Sequence, residues 1–290
     1  MAAQAPDVGD PVFVGRVREL DEIRSTIERA RAGRMQALLV SGDAGVGKTR
    51  LVQQACAPTC ADDPGLVVLS GACLPLGTMT VPLVPIRSAL RSAAADLHAS
   101  PLSATGAGGP GGRGESLPED AVQAVDEWLE RVCRDRPVVL VVDDLQWADE
   151  STLDVLMYVV AGSLERRLAV VCTLRRGETG TGHPLQRWLA DVRRMPCYAE
   201  LTLAPLERGE TREQVRSLLR ASPHETLVEE VHARTGGNAY LNRLLVEDLP
   251  PDARHLGGHL PPGPRGSGAA AVAPFVGADA RARPDHRGGW

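Results

Sequence analysis

The sequence of 290 residues almost lacks lysine, because Lys48 is the only one among its 32 basic residues. It also has no apolar run near the ~20 residues that a membrane-spanning helix needs. The first nine residues have neither the basic start nor the apolar stretch of a signal peptide. We therefore expect a cytoplasmic protein with no membrane partner. The composition, 43% hydrophobic and 24% charged, is typical of a chain that buries a core and excludes wholesale disorder.

Two further absences limit the possible ligands. The six cysteines include no CxxC pair and no metal-ligand spacing, so we expect core or free thiols. The net charge is −5, and the arginines form no stripe interleaved with aromatic residues, which are only 3% of the chain. The sequence therefore does not indicate a dedicated nucleic-acid surface.

Short apolar runs alternate with amphipathic stretches up to residue 203. The runs predict five strands, at residues 37–41, 65–70, 138–142, 168–173 and 199–203. Because these runs are continuously apolar, they indicate a parallel sheet covered by helices on both faces. Amphipathic helices are predicted over residues 16–32, after a capping box of Ser116 and Glu119, and from Ser151. The expected fold is an α/β three-layer sandwich with a five-stranded parallel sheet.

Composition and periodicity divide the chain around this predicted core, which spans residues 11–203. Residues 1–10 are a predicted N-terminal tail, and residues 99–118, rich in Gly, Pro, Ser and Ala, predict a flexible insertion. Residues 204–248 predict about three short helices that form a small lid on the sheet. In residues 249–290, 15 of 42 positions are glycine or proline and no periodicity survives, so we predict a disordered tail.

One motif carries most of the chemical information. Gly42 to Thr49 matches the pattern GxxxxGK[ST] between a predicted strand and a predicted helix, which is the context of a phosphate-binding P-loop. Its glycines let backbone N–H groups converge on phosphate oxygens at a helix N-terminus. Lys48 is expected to bridge the β- and γ-phosphates, and Thr49 to bind Mg²⁺. The nucleotide-binding residues predicted here are Gly42, Gly45, Val46, Gly47, Lys48, Thr49 and Arg50.

Polar residues at the ends of two other predicted strands are the remaining candidates. Asp143 is predicted to orient Mg²⁺, and Asp144 to polarise the attacking water. For both carboxylates the alternative is a helix N-cap or a turn, and Asp149 is a candidate cap for the next helix. Arg175 is predicted to sense the γ-phosphate, the alternative being a solvated arginine. With Lys48, Asp144 and Arg175 are the predicted catalytic residues.

Five separated motifs between about residues 11 and 248 resemble one family. In order they read FVGR with a following EL, GDAGVGKTR, VVLVVDDLQWADEST, CTLRR and RTGGNA. They are similar to the AAA-type ATPase domain of large LuxR-family bacterial transcriptional regulators, in the STAND class of P-loop NTPases. The resemblance implies ATP, ADP and Mg²⁺ as ligands, slow hydrolysis as a conformational switch, and self-association. It also implies that Val14 and Arg16 lie near the adenine, although a strand-like lead into a helix is the alternative.

Two departures from the family pattern bear on function. The last motif normally reads Gly-Asn-Pro, with its proline near the base, whereas this chain has Ala239. Members generally continue into helical repeats and a DNA-binding helix-turn-helix, neither of which residues 249–290 resemble, so we expect a truncated form, by hypothesis through a frameshift. The alternatives are a DNA-engaging ATPase similar to replication initiators and an inert fragment. The charge of −7 over residues 1–248 argues against DNA engagement.

Overall fold

The computed structural model describes most of the chain between residues 13 and 257. The described residues are 13–62, 65–75, 81–93, 119–178, 180 and 182–257. The predicted N-terminal tail, the predicted insertion with Ser116, and residues 258–290 lie outside them. Among the residues described, no helix is long and apolar enough to cross a membrane.

Five parallel strands form one sheet, as the apolar runs predict. They are β1 (Gln36–Gly42), β2 (Val67–Ala72), β3 (Val138–Asp143), β4 (Leu168–Arg175) and β5 (Tyr198–Leu203). Hydrogen-bonded neighbours follow the order β2-β3-β4-β1-β5. The strand before the P-loop, β1, is therefore separated from β3 by β4. Because every pair is parallel, the carboxyl ends of all five strands meet at one edge of the sheet.

Helices connect the strands and continue beyond the last one. They are α1 (Val17–Arg31), α2 (Lys48–Asp62), α3 (Val84–Ala93), α4 (Glu119–Asp135), α5 (Glu150–Ala161), α6 (Pro184–Val192), α7 (Arg208–Leu219), α8 (Glu225–Thr235) and α9 (Ala239–Val246). A short 3₁₀ helix, Leu145–Trp147, follows β3.

Successive strand side chains point into two different apolar cores. On one face of the sheet, residues such as Leu38 and Val139 pack against α1 and α2. On the other face, their neighbours Leu39 and Leu140 pack against α3 to α6. In β1, β3 and β4 both faces are thus buried, which explains why these strands read as continuous apolar runs. The edge strand β5 differs, because Glu200 and Thr202 alternate with its apolar residues and are exposed. The predicted three-layer α/β sandwich is confirmed.

The cysteines in the described part of the chain contribute to these cores. All five of them are buried and free, at positions 56, 73, 133, 172 and 197. Burial raises the pKa of Cys172 to about 12, so this thiol stays protonated at neutral pH.

The start of α5 differs from the prediction. The helix begins at Glu150, one residue before Ser151, and Asp149 is its N-cap. The Asp149 carboxylate accepts from the backbone N–H of Thr152 at 3.0 Å and from its hydroxyl at 2.6 Å. A carboxylate in this position satisfies an N–H group that the first helical turn leaves unpaired, which fixes the boundary.

Three helices, α7 to α9, follow β5 in the segment predicted to hold a helical lid. Their apolar side chains, among them Val215 and Leu227, form a third core that is separate from the two cores of the sheet. We refer to α7–α9 together with residues 249–257 as the helical unit.

The tail prediction is wrong for residues 249–257. Leu249, Ala253 and Leu256 pack against the core of the helical unit, and the backbone N–H of Leu256 donates to Glu230 at 2.8 Å. These three apolar residues follow each other at spacings of four and three. Composition averaged over the whole tail hides that spacing.

Close packing between β2 and α3 gives a test of the fold. A Cβ at Gly71 would lie 1.9 Å from the backbone oxygen of Pro85. We expect Gly71→Ala to lower the free energy of unfolding by ~2 kcal/mol or more, because backbone has to move to relieve the clash. Urea denaturation with an unchanged m-value measures this. Gly209→Ala is the matched control, since a Cβ there meets nothing within 4 Å, and equal midpoints for the two variants would contradict the packing.

Candidate functional site

The P-loop curls between β1 and the first turn of α2. Gly45 and Gly47 have φ values of +80° and +99°, in the left-handed region that favours glycine. A Cβ at Gly47 would meet nothing within 4 Å, so the backbone is accessible there. The N–H of Leu51 donates to the oxygen of Gly47 at 2.9 Å as the helix begins. The N–H groups and the dipole of a helix N-terminus favour an anion in the loop.

Lys48 is held by the carbonyl groups that open the loop. Its Nζ donates to the oxygens of Gly42 and Asp43 at 2.9 and 2.8 Å. Burial lowers the pKa of Lys48, and the negative charge of Asp144 opposes this effect. The ammonium group of the only lysine is therefore fixed at the carboxyl edge of the sheet, close to the acidic end of β3.

Asp143 joins the P-loop to β3 and β4. Its Oδ2 accepts from the Thr49 hydroxyl at 2.7 Å, and its Oδ1 accepts from the Thr173 hydroxyl. The residue is only 6% exposed, and burial raises the pKa of Asp143 while the two hydroxyl bonds oppose the rise. The structure thus brings together the two residues predicted to hold Mg²⁺, which prefers oxygen ligands of this kind.

Thr173 is a site residue that the sequence analysis did not single out. It is fully buried at the end of β4, where its hydroxyl donates to Asp143 and accepts from the backbone N–H of Asp144 at 2.9 Å. One hydroxyl therefore orients both acidic residues. The available indication was a polar residue within the otherwise apolar run of β4.

Asp144 and Arg175 contact each other directly. Nε and Nη2 of Arg175 donate to the two oxygens of Asp144 at 3.2 and 3.1 Å, which is a bidentate arginine–carboxylate pair. Gln146, only 4% exposed, donates to Asp144 at 3.0 Å and accepts from the Arg175 backbone N–H at 3.1 Å. The sequence predicts separate roles for Asp144 and Arg175, and no pattern in it indicates Gln146. The structure joins all three in one cluster, which we call the Asp144 cluster.

The remaining loop residues predicted to bind nucleotide surround the same turn. Val46 is 2% exposed and packs into the core beneath the loop, so its backbone rather than its side chain is available to a ligand. Arg50 is half-buried in the first turn of α2. In the described residues there is no group of three or more His, Cys, Asp or Glu side chains that could hold a metal ion.

The segment with Val14 and Arg16 lies against the start of the helical unit. The Arg16 guanidinium donates to the oxygen of Ala204 and to Glu19 at 3.2 Å, and its backbone N–H donates to Glu210 at 3.4 Å. Val14 is half-buried in this segment. The structure therefore places Arg16 between the end of β5 and α7, and the contact of both residues with adenine stays a prediction.

The turn before α9 reaches the P-loop itself. Asn238 donates from Nδ2 to the oxygen of Ala44 at 2.7 Å, and the Tyr240 N–H donates to the oxygen of Gly45 at 3.0 Å. Ala239, which stands where the family has proline, lies between the two contacting residues. The helical unit thus forms direct hydrogen bonds with the loop.

The fold and these contacts define a P-loop NTPase domain. A family model described as AAA ATPase domain matches residues 12–171, which is more than half of the chain. The chain belongs to this family, whose members use a nucleotide and Mg²⁺.

Three known proteins show the range of similarity. An uncharacterized protein of Rhizobium meliloti (strain 1021) is 26% identical over 240 residues, which cover 72% of this chain but only 22% of that relative's length. The ORC1 protein of Aeropyrum pernix, solved in complex with DNA, has a TM-score of 0.54 at 18% identity over 83% of this chain and 61% of its own. A STAND protein with a tetratricopeptide repeat sensor from Pyrococcus horikoshii has a TM-score of 0.41 at 16% identity, and the match covers 84% of this chain and 32% of that protein's chain. The ORC1 comparison supports the fold.

The double role of the Thr173 hydroxyl gives a second test. Thr173→Val keeps the shape of the side chain but leaves Asp143 Oδ1 and the Asp144 N–H without this partner. We expect the free energy of unfolding to fall by ~1–3 kcal/mol, the cost of leaving buried polar groups unpaired. Thr173→Ser retains a hydroxyl and should lose less. Urea denaturation compares the three proteins, and a Val variant as stable as the wild type would show that the hydroxyl does not hold the site together.

Proposed function

We propose that this chain is the nucleotide switch of a LuxR-type bacterial transcriptional regulator, in a truncated form. In this function it binds ATP with Mg²⁺, hydrolyses it slowly and passes the nucleotide state to the helical unit, which acts as a lid. The observation that carries the proposal is the hydrogen bond between Thr49 and Asp143 beside the ammonium group of Lys48. The order of the five motifs supports the regulator class, and the much greater length of the Rhizobium meliloti relative fits a domain within a larger protein.

Binding rests on the loop and on the acidic strand end. The N–H groups at the start of α2 bind phosphate oxygens, and Lys48 exchanges the carbonyls of Gly42 and Asp43 for the β- and γ-phosphates. Thr49 and Asp143 offer the oxygen ligands that fit Mg²⁺. Mg²⁺, when bound, would neutralise negative charge on the phosphates, which makes it easier for water to attack the γ-phosphorus.

Hydrolysis rests on the Asp144 cluster. The γ-phosphate competes with Asp144 for the Arg175 guanidinium, which frees the carboxylate to orient a water molecule and accept its proton. The water oxygen forms a new bond to the γ-phosphorus as the bond to the leaving oxygen of ADP breaks. The Asp144–Arg175 pair has to separate before the carboxylate can act, so we expect slow turnover.

Replacement of the lone lysine tests nucleotide binding. We expect Lys48→Ala to weaken binding of a fluorescent ATP analogue by ~100-fold or more, about 2.7 kcal/mol, because no other ammonium replaces it. Arg34→Ala is the control, since it removes the same charge from an exposed position before β1. Equilibrium titration with and without Mg²⁺ gives both affinities, and Asp143→Asn should lose the gain from Mg²⁺. Unchanged binding by the Lys48 variant would favour an inert fragment.

Two neighbouring arginines test the proposed hydrolysis mechanism. We expect Arg175→Ala to slow ATP hydrolysis by ~10–100-fold and to reduce the preference for ATP over ADP, because the γ-phosphate loses a cationic partner. Arg176→Ala should leave both unchanged, since that guanidinium contacts the Thr202 hydroxyl instead, at 3.3 Å. Phosphate release and competition titrations measure the two quantities. Equal behaviour of the two variants would exclude Arg175 as the sensor.

A second candidate function is that of a DNA-engaging ATPase similar to replication initiators. The similarity to the ORC1 protein, which was solved with DNA, favours it, and the charge of −7 over residues 1–248 opposes it. Proteins that neutralise DNA phosphates lose affinity steeply between ~50 and ~200 mM salt. Retention of duplex DNA with such a steep salt dependence would support this candidate, and no retention at ~50 mM would dismiss it.

A further inference from the structure

The helical unit contacts the P-loop on the carbonyl side of two peptide groups. The oxygens of Ala44 and Gly45 accept from Asn238 Nδ2 and from the Tyr240 N–H at 2.7 and 3.0 Å. In a trans peptide the C=O and N–H groups point in opposite directions. The N–H groups of Gly45 and Val46 belong to these same two peptides. They therefore point away from α9, toward the side of the loop on which phosphates are expected to bind.

The contact between the helical unit and the loop leaves no room for a side chain at position 45. A Cβ at Gly45 would lie 2.6 Å from Asn238 Oδ1 and 3.0 Å from Tyr240 Cβ. The φ of +80° at Gly45 also favours glycine. The glycine at this position of the loop thus allows the loop conformation and the approach of α9 at the same time.

The turn that carries Asn238 is itself fixed by hydrogen bonds around one buried polar side chain. Asn242 is fully buried, accepts from the Thr235 hydroxyl at 2.6 Å and donates to Gln214 at 2.8 Å. Gln214 in turn donates to the oxygen of Ala239 at 2.8 Å. The N–H groups at the start of α9 are capped by Asn238 Oδ1, at 3.1 and 3.2 Å. Asn238 is therefore held by three helices rather than by a free loop.

We propose that Asn238 is a positioning residue for phosphate binding. By holding the carbonyls of Ala44 and Gly45, Asn238 and the start of α9 keep the N–H groups of Gly45 and Val46 aimed at the phosphates. A carbonyl that accepts a hydrogen bond also strengthens the N–H of its own peptide as a donor. The inference rests on the proposed nucleotide-binding function of the loop.

This arrangement couples the position of the helical unit to phosphate occupancy. Coupling between two binding events is reciprocal, so docking of α9 raises phosphate affinity by the factor by which phosphate favours docking. The contact thereby connects the P-loop to the helical unit without any side chain of the unit touching the nucleotide.

Asn238→Asp separates this role from helix capping. Aspartate caps a helix as well as asparagine does, but it lacks the Nδ2 donor and places a carboxylate beside the Ala44 carbonyl. We expect the affinities for ADP and for inorganic pyrophosphate to fall about ten-fold, with an unchanged unfolding midpoint. Because pyrophosphate has no base, its loss of affinity distinguishes phosphate positioning from adenine contact. His224→Ala is the control, since it removes the cap of α8, a contact of 3.3 Å to the Thr226 N–H, and should leave both affinities unchanged.

Amide hydrogen exchange at Tyr240 gives a second, independent measurement. In the wild-type protein we expect pyrophosphate to slow this exchange, because phosphate stabilises the bond to Gly45. This measurement needs only the wild-type protein, so it applies even if Asn238→Asp fails to fold. A wild-type exchange rate at Tyr240 that pyrophosphate does not change overturns the inference. If Lys48→Ala abolishes the affinity for ADP but Asn238→Asp leaves it at the wild-type value, this inference alone is overturned. A wild-type protein that binds neither ADP nor pyrophosphate overturns the proposed function together with it.

Discussion

The site depends on the hydrogen bonds of one buried carboxylate. Asp143 stands at the end of β3, and hydroxyl groups from α2 and from β4 donate to its two oxygens. The three elements come from distant parts of the sequence, and they meet because parallel strands end at a common edge. A buried carboxylate is costly unless its oxygens are paired, so the arrangement of the loop and the strands is constrained by the need to satisfy this group.

Two cationic side chains, Lys48 and Arg175, lie near this carboxylate. The ammonium group of Lys48 lies near the acidic strand end, and the Arg175 guanidinium pairs with Asp144. The Arg175–Asp144 pair is partly solvated, so it contributes modestly to stability. Replacing Asp144 by another anion as the partner of Arg175 therefore costs little free energy. Buried Asp143 therefore fixes the site, and in the proposed function the partly buried pair beside it is the part that responds to the γ-phosphate.

The sequence predicts the sheet and the loop because both leave local patterns. Short apolar runs identify the strands, although the run of β5 includes Glu200 and Thr202, and the spacing of Gly42, Gly47 and Lys48 identifies the P-loop. Contacts between distant side chains leave no such pattern. The pairing of Asp144 with Arg175 spans 31 residues and depends on side-chain direction at two strand ends, and the contact of Asn238 with Ala44 spans 194. Thr173 is visible as a polar residue in an otherwise apolar run, but the run does not indicate that its hydroxyl contacts Asp143, which is 30 residues away in the sequence.

The scarcity of lysine has a consequence for the chemistry of the whole chain. Lys48 is the only side-chain amine in the sequence, and the structure places it in the P-loop, 6% exposed, against two carbonyl oxygens. Acetylation, methylation or ubiquitin attachment on a lysine side chain has only this one target. Any such modification would neutralise or enlarge the ammonium group within the P-loop itself, so modification of a lysine in this chain always changes the loop.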